Sequence, residues 1–339
     1  MNMICEKYRR MRVAGIGCAA ILLLLGQESM AQFRKSNFVP YSSVSLGIGT
    51  SSYYGDMAPY GRPIASTFGM MRWSATANYE RHFTPRLGAR ASFTWARISG
   101  DDFKMNGGGK GDSFLFARNL HFRNDLKEFA LTGIFKLTPD SRSYDRRPQL
   151  GAYLFAGIAA VAHNPVARVP DIEGDQWVRL QPLGTEGQGS PGYDKPYALL
   201  QLAIPMGIGV RYKINARFDV AAEVGFRFTS TDHLDDVGGN FPDPNVLKDD
   251  LSRSMSNRSA EPTAARKGGD RTDGLRSFIA ERYQISDPNI DPFVVIQQTD
   301  FASPGTLRGN SPTYNDTYMT GTVKVTYILG SPIKCPPLK

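Results

Sequence analysis

Polar and apolar residues alternate along this chain with a period of two. In "FDVAAEVGFRFTSTD" (218–232), Phe218, Val220, Ala222, Val224, Phe226 and Phe228 fall on one side, with Asp219, Glu223, Gly225, Arg227 and Thr229 on the other. Successive side chains of a strand point to opposite faces, so the pattern predicts a long β-strand with one greasy face and one charged face. Seven more segments carry the rhythm: 41–55, 72–83, 87–97, 121–138, 149–163, 198–214 and 318–329. Each is long enough for a tilted strand to cross a bilayer's apolar layer, which takes about 9–11 residues. Segment 149–163 is apolar on both faces and on its own could be a helix. Pro205, inside 198–214, predicts a bulge or distortion. Two bodies accept such strands. A soluble sandwich would turn the charges to water; a membrane barrel would turn them inward and the apolar face to lipid.

The connections separate the two. Short ones ("TPR", "PDSRSYDRRP", "NAR") join strands two to three, four to five and six to seven. Long ones (56–71, 98–120, 164–197 and 233–317) join the rest. A barrel of the bacterial outer membrane has short periplasmic turns and long extracellular loops, and a sandwich has no reason to sort its loops in this way. Aromatic residues are expected in two girdles: Tyr53, Tyr54, Trp73, Trp95, Phe226 and Phe228 outside, and Tyr79, Phe83, Phe135, Tyr212, Phe218 and Tyr327 at the periplasmic rim. The predicted fold is all-β: an eight-stranded antiparallel transmembrane β-barrel over 41–330, with long extracellular loops.

The N-terminus agrees. Lys7, Arg9, Arg10 and Arg12 precede the apolar run "VAGIGCAAILLLL", and Ser29 and Ala31 are the small residues of a cleavage site near Ala31–Gln32. Residues 1–31 thus read as a secretory signal peptide, with 32–40 and 331–339 as periplasmic ends. Without residues 1–31 Cys335 would be the only cysteine left, so no disulfide framework within one chain is possible. The net charge of +8 is modest, and Lys and Arg are not clustered with aromatics, which argues against nucleic acid as a partner. Outer-membrane lipid is the expected surrounding.

Candidate chemistry is sparse. Eight strands leave an interior only wide enough for side chains. The inward charges Glu80, Arg90, Glu128, Arg211, Glu223, Arg227 and Lys324 are therefore expected to pair as a salt-bridged plug rather than line a conduction path. "NGGGKGDS" (106–113) lacks a phosphate loop's GK[ST] ending and reads as a flexible loop. "STDHLDDVGGN" (230–240) gathers Asp232, His233, Asp235 and Asp236: a Ca²⁺ site through carboxylate oxygens, an acid/base set, or a capped turn before Gly238–Gly239. No other catalytic constellation is present, no cofactor is expected, and the chain does not read as an enzyme. In the last loop, "NVLKDDLSRSM" and "DGLRSFIAERY" have helical spacing, "TAARKGGDRTDG" reads as mobile, and "PFVVIQQTDF" (292–301) suggests a short strand. The longest periplasmic turn carries Arg142, Arg146 and Arg147, a basic patch able to dock an acidic partner.

Several stretches follow one another in a telling order: "SSYYGDM", "RNLHFRNDLKEFALTGIF", "LQPLGTEGQG", "IPMGIGVRYKI", "TSTDHLDDVGG", "MSNRSAE" and "RGN…NDTYMTGTVKVTYIL". Together, over about 41–330, they resemble the Bacteroidota outer-membrane barrels of the PorG type, some of which belong to the type IX secretion machinery. The tail departs from that pattern by ending in Lys339, and "EPTAARKGGDRTDGLR" looks like an insert. The resemblance implies a small barrel without enzymatic activity that anchors periplasmic ring or lipoprotein components of an export complex. The alternative is a surface-binding barrel that works through its 233–317 loop.

Overall fold

The structure, a computed structural model, describes residues 38–59, 61–105, 113–170, 176–266, 268–309 and 315–330. The signal segment, the tail 331–339 and nearly all of "NGGGKGDS" lie outside them. Ten strands form one sheet: β1 Tyr41–Tyr54, β2 Arg72–His82, β3 Leu87–Asp101, β4 His121–Lys136, β5 Leu150–Ala162, β6 Val166–Arg168, β7 Trp177–Arg179, β8 Leu200–Lys213, β9 Phe218–Thr229 and β10 Thr317–Leu329. Eight of them run β3-β2-β1-β10-β9-β8-β5-β4, all antiparallel, and the β3–β4 pairing closes the ring. The chain is an eight-stranded antiparallel transmembrane β-barrel. Strands β6 and β7 form a small hairpin that continues from β4 above the barrel.

Burial is inverted relative to a water-soluble protein. Leu46, Ile48, Ile158 and Leu202 are 67–75% exposed, while Glu80, Arg90, Glu128 and Lys324 are 2–7% exposed. Only an apolar solvent makes that distribution stable, since leaving such side chains in water forfeits about 1.5–3 kcal/mol each. Among the described residues no helix is long and apolar enough to cross a membrane; the strands do the crossing.

The doubly apolar β5 is explained by what it faces. Leu150, Leu154 and Ile158 point outward, while Tyr153 and Phe155 point into the lumen and fill it. Glycines of β8 and β9 make room for these rings: a Cβ at Gly209 would meet the Tyr153 ring at 2.4 Å, and one at Gly225 would meet Phe155 at 2.8 Å. Pro205 produces no bulge. The β5–β8 ladder is unpaired opposite Pro205, where the ring has removed the N–H, and resumes in unchanged register on either side.

The aromatic girdles are built with two exceptions, Tyr53 and Tyr54, of which Tyr54 is buried with its hydroxyl against Thr67 at 2.6 Å. Trp73 and Trp95 meet edge-to-face at 5.1 Å on the outer side, but Tyr53 is fully buried and turns into the mouth of the barrel. The long loops pack into one cap. It contains α1 Pro63–Gly69, α2 Asp102–Met105, α3 Ser113–Arg118, α4 Asp250–Ser256, α5 Thr272–Tyr283 and α6 Pro292–Gln298. Phe116, Leu275, Phe278, Ile279, Ile296 and Phe301 form the cap's own core. A second core, including Tyr53, Ile98, Phe122, Leu234 and Tyr318, bridges cap and barrel.

One expectation about the last loop is corrected here. Residues 292–298 are helical rather than a strand, because Asp291 caps the backbone N–H of Phe293 and Pro292 starts the turn. Within "TAARKGGDRTDG", Thr263 bridges Asp270, and the Ala265 N–H donates to Asn119 Oδ1 at 3.0 Å.

Candidate functional site

Strand phase sends the seven predicted charged side chains into the lumen, and the structure sorts them into three layers. At mid-height, Glu80 of β2 accepts from Arg90 Nε (2.8 Å) and Lys324 Nζ (3.0 Å). Glu223 of β9 accepts from Arg90 Nη2 (2.7 Å) and Lys324 Nζ (2.6 Å). Two carboxylates and two cations therefore close a ring across the lumen, and Tyr153 adds a hydroxyl to Glu223. The Phe155 ring lies 5.2 Å from the Arg90 guanidinium. Above, Arg227 pairs with Glu128 (3.1 Å), which also accepts from Tyr318.

The lowest layer holds Arg211, and its nearest partner comes from outside the rhythm. Asp140, in the turn after β4, accepts from Arg211 (2.9 Å), Tyr41 (2.7 Å) and Lys136. Asp219 accepts from Arg147 at 2.7 Å. Lys136 and Asp219 share the inward phase of their strands, so period two could have found them, whereas Asp140 carries no periodic signal. Cavities of only about 30 and 20 Å³ remain between the layers. Each is space for a water or two, not a path.

The periplasmic arginines separate. Arg142 and Arg146 are exposed. Arg147 is not part of that surface: it is buried, bound to Asp219 and to the carbonyl of Ala216 at 3.1 Å, and seals the barrel from below. Beneath the same end, Phe38 packs on Tyr41, Tyr144 and Ile328.

At the opposite mouth the acidic run does not converge on a point. Asp235 accepts from the Tyr53 hydroxyl (2.6 Å), and Asp236, at φ 73°, accepts from the Tyr197 hydroxyl (2.7 Å) and from Thr185. Asp232 stands apart, half-buried. Among the described residues no group of three or more His, Cys, Asp or Glu side chains could hold a metal ion. Of the alternatives for Asp232, Asp235 and Asp236, loop structuring is the one the geometry supports: Asp235 accepts from Tyr53 of β1, and Asp236 accepts from Tyr197 and Thr185 of the neighbouring loop.

The electrostatics of this mouth follow from burial. Asp232 is pushed up to about 7, first by burial and then by the charge of Asp56, and burial takes Asp236 to about 6. Asp235 and Asp316 are raised by burial and by neighbouring carboxylates. Burial opposes the positive charge of His233, yet its contact with Glu186 (3.7 Å) raises it on balance. The His233 ring stacks on Tyr197 at 4.8 Å.

What sequence reasoning missed is the set of buried arginines that staple the cap. Arg118 grips Asp102 through two bonds of 2.8 Å and reaches the carbonyls of Asp56 and Arg308. Arg308 in turn binds Glu186 (3.1 Å) and the Asp236 carbonyl (2.8 Å). Arg258 forks onto Glu261. The buried guanidinium of Arg271 donates to four backbone carbonyls: Ser259, Glu261, Phe116 and Ala117. A signal was present all the same. Tyr53, Asp56, Arg118, Glu186, Asp235, Arg258, Arg308 and Asp316 all sit in the quoted stretches that carry the family resemblance, and the fold brings those stretches together where cap meets barrel. Their visible work there is architectural.

No family model matches the chain, and no curated protein matches it. Among solved structures, the chain is similar to the N-terminal β-barrel domain of Pseudomonas aeruginosa OprF (8% identity, 86% of this chain and 100% of that one, TM-score 0.31). It is also similar to Ail, the attachment invasion locus protein of Yersinia pestis (9% identity, 86% and 99%, TM-score 0.33). A third is the outer membrane protein OprG from P. aeruginosa (8% identity, 88% and 100%, TM-score 0.32). At such values the likeness carries no functional argument, which rests on the geometry above.

Proposed function

We propose that this protein is a non-conducting outer-membrane anchor, without catalytic activity, that holds a rigid extracellular cap on one side and a periplasmic partner on the other. The observation that carries the reading is the closed ring of Glu80, Arg90, Glu223 and Lys324 across the lumen. The ring fills the cross-section, and the spaces of about 30 and 20 Å³ on either side of it are too small for a solute to pass. With transport set aside, the barrel's use lies at its two ends.

The resemblance to PorG-type barrels supports a partner in a type IX export complex, a periplasmic ring or lipoprotein component. The exposed pair Arg142 and Arg146 offers such a partner a basic contact. A gentle detergent pull-down tests it: periplasmic export components should co-purify with the barrel, and a strain lacking it should lose secretion. Intact secretion without the barrel would refute the export role, and measurable current through the purified protein in a planar bilayer would refute the closed lumen. A second reading, ligand binding by the cap, is favoured by the cap's own core around Phe278 and Phe301. It predicts that replacing 233–317 abolishes function while export persists.

A further inference from the structure

The outer wall of the barrel is hollowed across β10, β1, β2, β3 and β4. The hollow measures about 690 Å³, with Ala77 and Ala91 as its floor and Tyr79, Phe93, Phe129 and Tyr327 among its walls. Its shape follows from register: Ala77 pairs with Phe93 and Ala91 with Tyr79, so small side chains lie beside rings on neighbouring strands. Spanning four strand spacings, it runs about 19 Å across the wall. It starts low on the barrel, where Tyr79 pairs with Val44 and Val44 with Tyr327, close to the periplasmic ends of these strands.

Two arginines stand at that rim. Arg81 donates to Ser42 Oγ at 3.0 Å, and Arg217 to the Tyr327 hydroxyl at 2.9 Å. The Tyr79 hydroxyl bonds to the same Ser42 oxygen at 2.9 Å. Both guanidinium groups are exposed, and neither pairs with a carboxylate among the described residues. They contrast with the lumen, where every cation of the central ring has an acid. Outward-facing cations at the depth where hydrocarbon gives way to headgroups are stabilised by phosphate, which guanidinium binds through charge-assisted hydrogen bonds.

We propose that this face binds one anionic glycerophospholipid, its phosphate held by Arg81 and Arg217 and an acyl chain lying over Ala77 and Ala91. The site rests on the barrel spanning a membrane, and not on what it anchors. A zwitterionic headgroup brings its own cation to the two arginines, so an anionic one is preferred.

Native mass spectrometry of the full-length protein in mild detergent tests this with phosphatidylglycerol and phosphatidylcholine titrated in parallel. Phosphatidylglycerol should be retained at roughly tenfold lower concentration, a difference of about 1.4 kcal/mol. The Arg81→Gln/Arg217→Gln double variant should lose that preference, and Ala77→Phe should weaken both lipids while the folded barrel keeps its gel mobility. Equal binding of the two lipids, or an undiminished preference in the double variant, overturns the site. A photo-crosslinking residue in place of Ala77 should give a lipid-sized adduct in cells; a protein-sized adduct, from a second copy or another protein, overturns it as well. Failure of the export role would leave all these readouts unchanged.

Discussion

Tyr53 and Asp316 stand 263 positions apart in the chain and 2.7 Å apart in the fold. The same phenol reaches Asp235 at 2.6 Å, and the Asp56 N–H donates to the phenol oxygen at 3.0 Å. One hydroxyl proton thus serves two buried carboxylates, and the end of β1, the start of the last loop and the start of β10 are tied at one atom. Because β1 and β10 are also paired, the tie locks the cap at the seam where the first and last strands meet.

Removing that atom should loosen the cap and spare the barrel. In Tyr53→Phe, Asp235 and Asp316 lose a shared donor, and an unsatisfied buried group costs about 1–3 kcal/mol. Hydrogen exchange should rise in 230–240 and in the residues around Asp316, while strand amides and the gel mobility of the folded barrel stay as they were. Unchanged protection of 230–240 would show that the hydroxyl is dispensable.

Acidification from pH 8 toward pH 5 should tighten the same mouth. Asp232 and Asp236 titrate near 7 and 6 in the folded chain, against an ordinary value of 3.8. The folded state therefore holds protons that the unfolded state has released, and stability falls as pH rises through roughly 4 to 7. His233, raised by Glu186, works in the same direction: its contribution is present below its ordinary 6.5 and is lost as pH rises through the higher folded value. Glu186, held below its ordinary 4.5 despite burial by His233 and Arg308, opposes only when pH falls under that range. Limited proteolysis of the cap checks the sign, with slower cleavage expected at pH 5.5 than at pH 8 and a flatter profile in Asp232→Asn.

The barrel was legible in the sequence because lipid enforces a strict rule on every second residue, and the rule holds on every strand from Val44 to Tyr327. The cap obeys no single period. Its helices at 250–256 and 272–283 could be seen from spacing, but Arg271 is spent on backbone carbonyls, which leave no pattern in side chains, and Arg308 finds Glu186 122 positions away. Tyr53 shows where alternation runs out. With Tyr54 beside it, composition places both in the outer girdle, and only phase relative to Ser51 and Ser43 puts Tyr53 inside. The acidic run 232–236 left three alternatives open for the same reason: spacing shows which oxygens are near one another in the chain, not which hydroxyls claim them.

The central ring predicts a coupling. Lys324→Met leaves Glu80 and Glu223 to share Arg90 alone, and should destabilise the barrel by about 3–5 kcal/mol in urea unfolding from lipid vesicles. Adding Glu223→Gln restores charge balance, so the double variant should be more stable than the sum of the two single changes by about 0.5–3 kcal/mol. Strict additivity would mean that Lys324 and Glu223, 2.6 Å apart, do not act together.

The periplasmic turn allows docking and architecture to be told apart within six residues. Arg142 and Arg146 are exposed and make no ion pair among the described residues, so Arg142→Glu/Arg146→Glu should leave folding unchanged and release an acidic partner in the detergent pull-down. Arg147→Glu should behave in the opposite way. It would set a carboxylate against Asp219 where the guanidinium now sits at 2.7 Å, and the barrel's lower seal should open with a loss of stability. Full recovery of the partner by the folded Arg142→Glu/Arg146→Glu protein would show that these two arginines only keep the turn soluble, and the contact would then have to lie elsewhere on the periplasmic rim.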